Sequence, residues 1–236
     1  MKRILFCSSA LLLLAAAAHI TTMSAQLADW EQLKRYTTAN AALPPAVPGE
    51  PRVVFYGDSI TDAWHALGAT AFAGKPYINR GISSQTTPQM LVRFRQDVVH
   101  LQPQVVVILA GTNDIAGNTG PSTLEMIEDN LISMADIAKA NHIRMVFSSV
   151  LPVFDYPWKP GLQPAEKVRA INTWMKSYCA ANNLVYLDYY TALADERGGM
   201  KEGTSRDGVH PAAAGYAIME PLAAAAIAQA LAQPQR

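Results

Sequence analysis

Two short runs, Val53-Val54-Phe55-Tyr56 and Val105-Val106-Val107-Ile108-Leu109, are apolar at every position rather than every second one. A strand with one wet face alternates; a strand that does not alternate has both faces covered. Helices on both sides of a parallel sheet supply that cover. The rest of the chain fits this scheme. Shorter strands are expected near Tyr77-Ile78, over Ile143 to Val150 and over Leu184 to Leu187. Between them the apolar spacing turns helical. Thr87-Pro88 is a start signal, and Met90, Leu91, Phe94, Val98 and Leu101 then share one face. Ser122 can cap a helix to about Ala140 that Asn141 stops, Pro164 opens one to about Ala181, and an alanine-rich helix ends the chain after Pro211. Strand and helix alternate about five times with no long internal repeat, which predicts an α/β domain built on one five-stranded parallel sheet.

Composition narrows the function classes. Half of the 236 residues are apolar and 16% are charged, an ordinary globular balance, and the formal charge of zero offers nucleic acid no basic surface. The first residues stand apart. Lys2 and Arg3 precede an apolar run from Ile4 to Ala18, with Met23-Ser24-Ala25 as a small-residue exit. This pattern predicts a signal peptide over 1–25, cleavage after Ala25 and a periplasmic or secreted product. At about 15 residues the apolar run is short for a bilayer, so no integral membrane span is expected. Removing Lys2 and Arg3 from 19 basic residues leaves 17 against 19 acidic ones, a mature charge of −2. Cys7 leaves with the leader, and the remaining Cys179 has no partner for a disulfide. Residues 26–51 read as an N-terminal helix, over 26–42, followed by a stiff connector through Pro44, Pro45, Pro48 and Pro51; 52–236 is the main domain.

A parallel sheet delivers the loops that follow its strands to one edge, where open α/β folds bind ligands. Ser59 follows the first strand in Gly57-Asp58-Ser59, a sharp turn into a helix whose free N–H groups suit an anion. Gly81 follows the second strand and Asn113 the third. Far downstream, Asp207-Gly208-Val209-His210 sets a carboxylate and an imidazole three residues apart, one helical turn if the segment is helical. A serine beside a histidine that a carboxylate orients is what serine acylation requires. Each piece alone is also ordinary turn or cap chemistry; their joint order at strand ends is specific. His65 is a weaker rival base because no orienting acid is near it, and His100 and His142 suit helix ends. Asp58 and Asp114 flank the site and suit loop hydrogen bonding. Candidates to line a substrate pocket are Asp58, Trp64, Phe154, Tyr156 and Trp158, although Trp64 and the 154–158 stretch could equally pack inward. Cys179 reads as a small buried hydrophobe.

With these residues in place, the chain resembles the SGNH hydrolases, also called GDSL-type esterases and lipases, over about residues 52 to 232. The resemblance is carried by Gly57-Asp58-Ser59-Ile60, Asn79-Arg80-Gly81, Gly111-Thr112-Asn113-Asp114 and Asp207-Gly208-Val209-His210-Pro211. Among members it looks most like the bacterial platelet-activating-factor-acetylhydrolase-like branch. The resemblance implies a three-layer, flavodoxin-like fold with sheet order 2-1-3-4-5. It implies Ser59 as nucleophile, His210 as base and Asp207 as its orienting acid, with an oxyanion hole from the Ser59 and Gly81 N–H groups and the Asn113 amide. It implies an acyl-ester substrate, such as a short ester, a lysolipid or an acetylated sugar, and no metal or organic cofactor. The Gly-x-Ser-x-Gly elbow of the α/β-hydrolases is missing.

Two other classes stay open at this level. Asp58, Asp114, Asp207 and His210 could instead hold a cation for a metal-dependent phosphoesterase, or the fold could serve a non-catalytic carbohydrate- or lipid-binding module. Nothing in the sequence sets the oligomeric state.

Overall fold

A computed structural model describes residues 29–68 and 71–234, so the expected leader lies outside the described residues. In chain order the elements are α1 (Thr37–Ala41), β1 (Val53–Gly57), α2 (Ser59–Leu67), β2 (Tyr77–Gly81), α3 (Thr87–Asp97), β3 (Val105–Leu109), α4 (Thr112–Ile115), α5 (Leu124–Ala140), β4 (Arg144–Ser148), α6 (Ala165–Asn182), β5 (Val185–Leu187), α7 (Tyr189–Leu193) and α8 (Ala213–Ala232). The five strands form one sheet in the order β2-β1-β3-β4-β5, every pair parallel. This is the expected order, and its register sets Gly57 opposite Gly81 at the carboxyl edge.

The continuous apolar strands split their side chains between two cores. Val54, Tyr56, Val106 and Ile108 meet Met90 and Phe94 of α3, Leu131 of α5 and Ile171 of α6. Val53, Phe55, Val107 and Leu109 meet Ile60 and Trp64 of α2 and Tyr216, Met219 and Ile227 of α8. α8 has the length and hydropathy of a membrane span, yet one face of it is buried against the sheet. Cys179, the one cysteine among the described residues, is buried in α6 with Sγ 3.8 Å from the Val185 carbonyl oxygen, and burial pushes its thiol up to about 12.

Three expectations change. Of the helix expected over 26–42, residues 26–28 lie outside the described residues, and 29–42 form turns and α1. The carbonyls of this stretch are taken by side chains of another element: Gln85 donates to Glu31 O, Gln89 to Trp30 O and Gln96 to Leu33 O. The segment is thus a strap fastened across α3. The strand expected to run to Val150 ends at Ser148, because Asn172 of α6 pairs with both the N–H (2.8 Å) and the C=O (2.9 Å) of Val150. The cap of α5 is Thr123, whose hydroxyl accepts from Met126 N–H, rather than Ser122.

The carboxyl edge is organised by Arg93, fully buried in α3. It donates to Arg80 O (2.9 Å), Gly57 O (3.1 Å), Asp97 Oδ2 (3.1 Å) and the Gln85 amide oxygen, and lies 4.1 Å over the Tyr56 ring. Breaking a buried, hydrogen-bonded pair strands the surviving charge. Arg93→Met should therefore destabilise the fold by about 3–5 kcal/mol in urea unfolding; a loss below about 1 kcal/mol would show that Asp97 finds another partner.

Candidate active site

Ser59 is the first residue of α2, and the Asp58 carboxylate caps that helix by accepting from Ile60 N–H at 2.9 Å. The first-turn N–H groups of a helix have no acceptor within it, so the Ser59 N–H faces the edge free of the helical ladder. Ser59 Oγ lies 2.9 Å from His210 Nε2, and His210 Nδ1 lies 2.7 Å from Asp207 Oδ2. The three residues therefore form one hydrogen-bonded chain. Its open mouth, about 370 Å³, is bordered by Ser59, Ala63, Ser83, Arg206, Asp207 and His210.

Asp207 and His210 do not meet on a helical turn, as their spacing suggested. They sit in a loop that Asp207 itself folds: its other carboxylate oxygen accepts from Val209 N–H at 3.0 Å and His210 N–H at 2.8 Å. Gly208 has φ 86, a left-handed value that glycine adopts without strain. Ser205 was not anticipated from the sequence. Its hydroxyl donates to His210 O and accepts from Gly208 N–H, at 2.9 and 2.8 Å, bracing the loop from inside. A serine two residues before Asp-Gly is a turn-former's position, and that was the available signal. Burial alone would push the Asp207 carboxyl up; the bonds from His210 and Val209 outweigh it, and the carboxyl is held below its ordinary value.

Two of the expected oxyanion donors are engaged with acceptors of the fold. Gly81 N–H donates to Asn79 Oδ1 at 2.8 Å, and Asn113 Nδ2 donates to Gln85 O at 3.0 Å. Buried donors pair with whatever acceptor is in reach. Asn113 Oδ1 accepts from Asn118 at 2.8 Å, which fixes which end of the amide is the donor. Gly81 must be glycine for packing: a Cβ there would come within 2.1 Å of the Asp62 backbone nitrogen in α2.

Among the expected pocket residues, three are corrected. Trp64 is 1% exposed and packs edge-on to Phe55 and Phe72 in the core under α2, on the far side of its helix from solvent. Tyr156 is also 1% exposed, with its hydroxyl donating to Thr112 O at 2.8 Å. Asp58 is wholly buried. Trp158 does stand at the site, 42% exposed with its ring 6.2 Å from that of His210. Phe154 is exposed too, but Arg197 lies over its ring at 5.0 Å. Asp114 accepts from the Thr87 N–H and hydroxyl at 3.0 and 2.6 Å, docking the start of α3. Asp58 and Asp114 are thus committed to helix starts, and no group of three or more His, Cys, Asp and Glu side chains among the described residues converges as a metal site would require.

Residues 55–218, which carry Ser59, Gly81, Asn113, Asp207 and His210, match the model of the GDSL-like lipase/acylhydrolase family. The chain belongs to that family. A GDSL-like lipase from Bacteroides thetaiotaomicron VPI-5482 is 42% identical, superposes with a TM-score of 0.82 and shares 85% of this chain and 98% of its own. The platelet-activating factor acetylhydrolase IB subunit alpha1 of Bos taurus is 26% identical over 174 residues, 71% of each chain. The acetylxylan esterase Axe2 of Geobacillus stearothermophilus, 19% identical with a TM-score of 0.61 over 78% of this chain and 96% of its own, shares the fold. Membership in the GDSL-like family makes the chain a hydrolase of acyl compounds.

Burial, reinforced by Asp114 and partly opposed by the Ile60 N–H, pushes the Asp58 carboxyl up to about 7 from 3.8. A raised carboxyl means the native state keeps a proton that the unfolded chain releases. The contribution to stability is full below about pH 4 and is lost as pH rises to about 7. Asp58→Asn should lose this slope, so urea midpoints of wild type and variant should converge or cross between those limits. An identical slope in both proteins would show that Asp58 ionises at its ordinary pH.

Proposed function

We propose that this GDSL-family member is an exported serine esterase that removes a short acyl group, acetyl first of all, from an alcohol. The observation that carries the proposal is the chain from Ser59 Oγ through His210 to Asp207, at 2.9 and 2.7 Å. A serine hydroxyl is a weak nucleophile until a base takes its proton. In this reading Ser59 Oγ attacks the ester carbonyl carbon as its proton passes to His210 Nε2. The Asp207 carboxylate, kept ionised by its hydrogen bonds, holds the ring tautomer and stabilises the imidazolium. The carbonyl oxygen becomes an oxyanion, received by the Ser59 and Gly81 N–H groups and Asn113 Nδ2. For the last two this is an exchange of acceptors: Gly81 N–H gives up the Asn79 amide oxygen, and Asn113 Nδ2, which reaches Gln85 O at 3.0 Å and Asp58 Oδ2 at 3.4 Å, gives up one of these for the oxyanion; charge-assisted bonds are about twice as strong as neutral ones. The tetrahedral species collapses as His210 returns the proton to the leaving alkoxide, leaving an acyl-Ser59 ester. Water, deprotonated by the same histidine, then releases the carboxylic acid and regenerates Ser59.

Support for the acetyl preference comes from the similarity to an acetylhydrolase. Support for export comes from the charged, apolar and small-residue pattern of residues 1–25. A metal-dependent phosphoesterase is disfavoured because Asp58 and Asp114 already serve the helices they cap.

Purified residues 26–236 should hydrolyse p-nitrophenyl acetate faster than its long-chain esters, with or without EDTA, and Ser59→Ala should abolish this. Activity that persisted in Ser59→Ala and vanished with EDTA would replace the esterase by the metal enzyme. Asn113→Ala should lower turnover by about 100-fold or more, mainly in kcat. Survival of kcat within a few-fold would remove Asn113 from the oxyanion site.

A further inference from the structure

We propose that the N-terminal strap builds a carbohydrate subsite beside Ser59, so that the acyl group is removed from a neutral sugar of two or more rings. The proposal rests on the esterase reading above and names its alcohol. A cleft of about 650 Å³ lies between Trp30 and Gln32 of the strap, Ser83 and Ser84 after β2, and Asn118 and Thr119 after α4. That volume is within the range of small-molecule sites, about 300–1,000 Å³. Ser83 borders both this cleft and the mouth that holds Ser59 and His210, so the two are adjacent. A substrate reacting at Ser59 and extending past Ser83 enters the strap cleft.

The lining selects the chemistry. It consists of hydroxyls, carboxamides, one aspartate and one indole, with no lysine or arginine for a phosphate and no aliphatic side chain for an acyl tail. The aspartate, Asp29, is occupied as a turn-former, accepting from Leu33 N–H at 2.8 Å and Lys34 N–H at 3.3 Å. Trp30 is 37% exposed. An indole face with amides and hydroxyls around it complements a sugar, which carries a flat C–H face and a rim of hydroxyls; aromatic residues combine apolar area with rigid shape in this way. The lining offers no aliphatic side chain to a hydrocarbon tail and no lysine or arginine to a phosphate, so a lysolipid would find a partner here only for a choline ammonium, at Trp30 and Asp29.

The strap is fixed well enough to act as a wall. Three glutamines of the 85–96 segment hold its carbonyls, Tyr36 donates to Gly81 O, and Arg80 stacks 4.6 Å over the Tyr36 ring. Gln32 and Ser84 are held in left-handed backbone conformations, at φ 56 and 67, the kind of strain that collects at ligand sites. The cleft also reaches the reaction: Asn118 on its rim donates to Asn113 Oδ1. The strap precedes the family match, which begins at residue 55. Of the cleft's lining, Asp29, Trp30 and Gln32 lie ahead of the match, and Ser83, Ser84, Gln89, Asn118 and Thr119 lie within it.

Wild type, Trp30→Ala and Gln32→Ala would be compared on O-acetylated xylo- and cello-oligosaccharides, p-nitrophenyl acetate and lysophosphatidylcholine. The expected result is that the ratio of kcat/KM for an oligosaccharide acetate to that for p-nitrophenyl acetate falls about tenfold or more in Trp30→Ala, chiefly through KM. A smaller fall in the same ratio is expected for Gln32→Ala. An unchanged ratio in both variants overturns the subsite, as does a wild type that turns over lysophosphatidylcholine faster than both oligosaccharides. Binding separates this inference from the one beneath it. Calorimetric titration of the same oligosaccharides into Ser59→Ala should show binding that Trp30→Ala, added to Ser59→Ala, weakens about tenfold; no binding to Ser59→Ala overturns the subsite. If Ser59→Ala still hydrolyses p-nitrophenyl acetate at the wild-type rate, the serine mechanism falls while the titration still decides the subsite.

Discussion

The carboxyl edge of the sheet depends on one buried cation. An arginine cannot shed its charge in a protein interior, so every donor of Arg93 must be met in place. The groups that meet them are the last carbonyl of β1, the penultimate carbonyl of β2, the Gln85 amide and Asp97. Gly57 O belongs to the turn that presents Ser59, Arg80 O to the residue before Gly81, and Gln85 carries the carbonyl on which the Asn113 amide rests. The three donors proposed for the oxyanion thus hang from partners of a single guanidinium. Desolvating that charge is expensive, and the pair with Asp97 alone would not obviously repay it. What the arrangement provides is a fixed spacing between two strand ends and a loop, which an apolar core could not specify.

The sheet was legible because its signal is local. Val53–Tyr56 and Val105–Leu109 lack alternation, and a strand buried on both faces has few other settings than a helix-covered parallel sheet. The strand-end positions of Ser59, Gly81 and Asn113 were legible for the same reason, since parallel strands bring their following loops to one edge. The failures share a cause as well. Trp64 and Tyr156 are aromatic residues near the site in sequence, but which way a side chain points off a helix or loop depends on packing that no local pattern encodes. The residues of the strap allow a helix locally; the glutamines that take its carbonyls instead lie more than 50 residues away. No pattern of reactive residues marks Ser205, because it acts on Asp207 and His210 rather than on a substrate.

The neighbourhood of Ser59 is two-sided. On one flank the 154–162 loop, pinned by Asp155 to Gly161 N–H and by Lys159 to Gly117 O, presents exposed Trp158 beside His210. On the other flank the strap presents amides and hydroxyls. Both walls are loops fastened by polar bonds to a rigid sheet edge, while Ser59, Gly81 and Asn113 sit on helix starts and a strand end and His210 sits on a loop of its own. Asp207 sits between these regimes. One of its oxygens orients His210 and the other folds the loop that carries it, so its removal disturbs position and charge together.

Cys179 gives this molecule a clock. Its thiol lies in the seam between α6 and β5, with no route to water that leaves the seam closed. A thiol reagent can reach it only when the seam parts, so at saturating reagent the rate of modification equals the rate of opening. The same reaction on a protein with an occupied active-site edge would show whether events at the carboxyl ends of the strands are felt on the α6 face of the sheet.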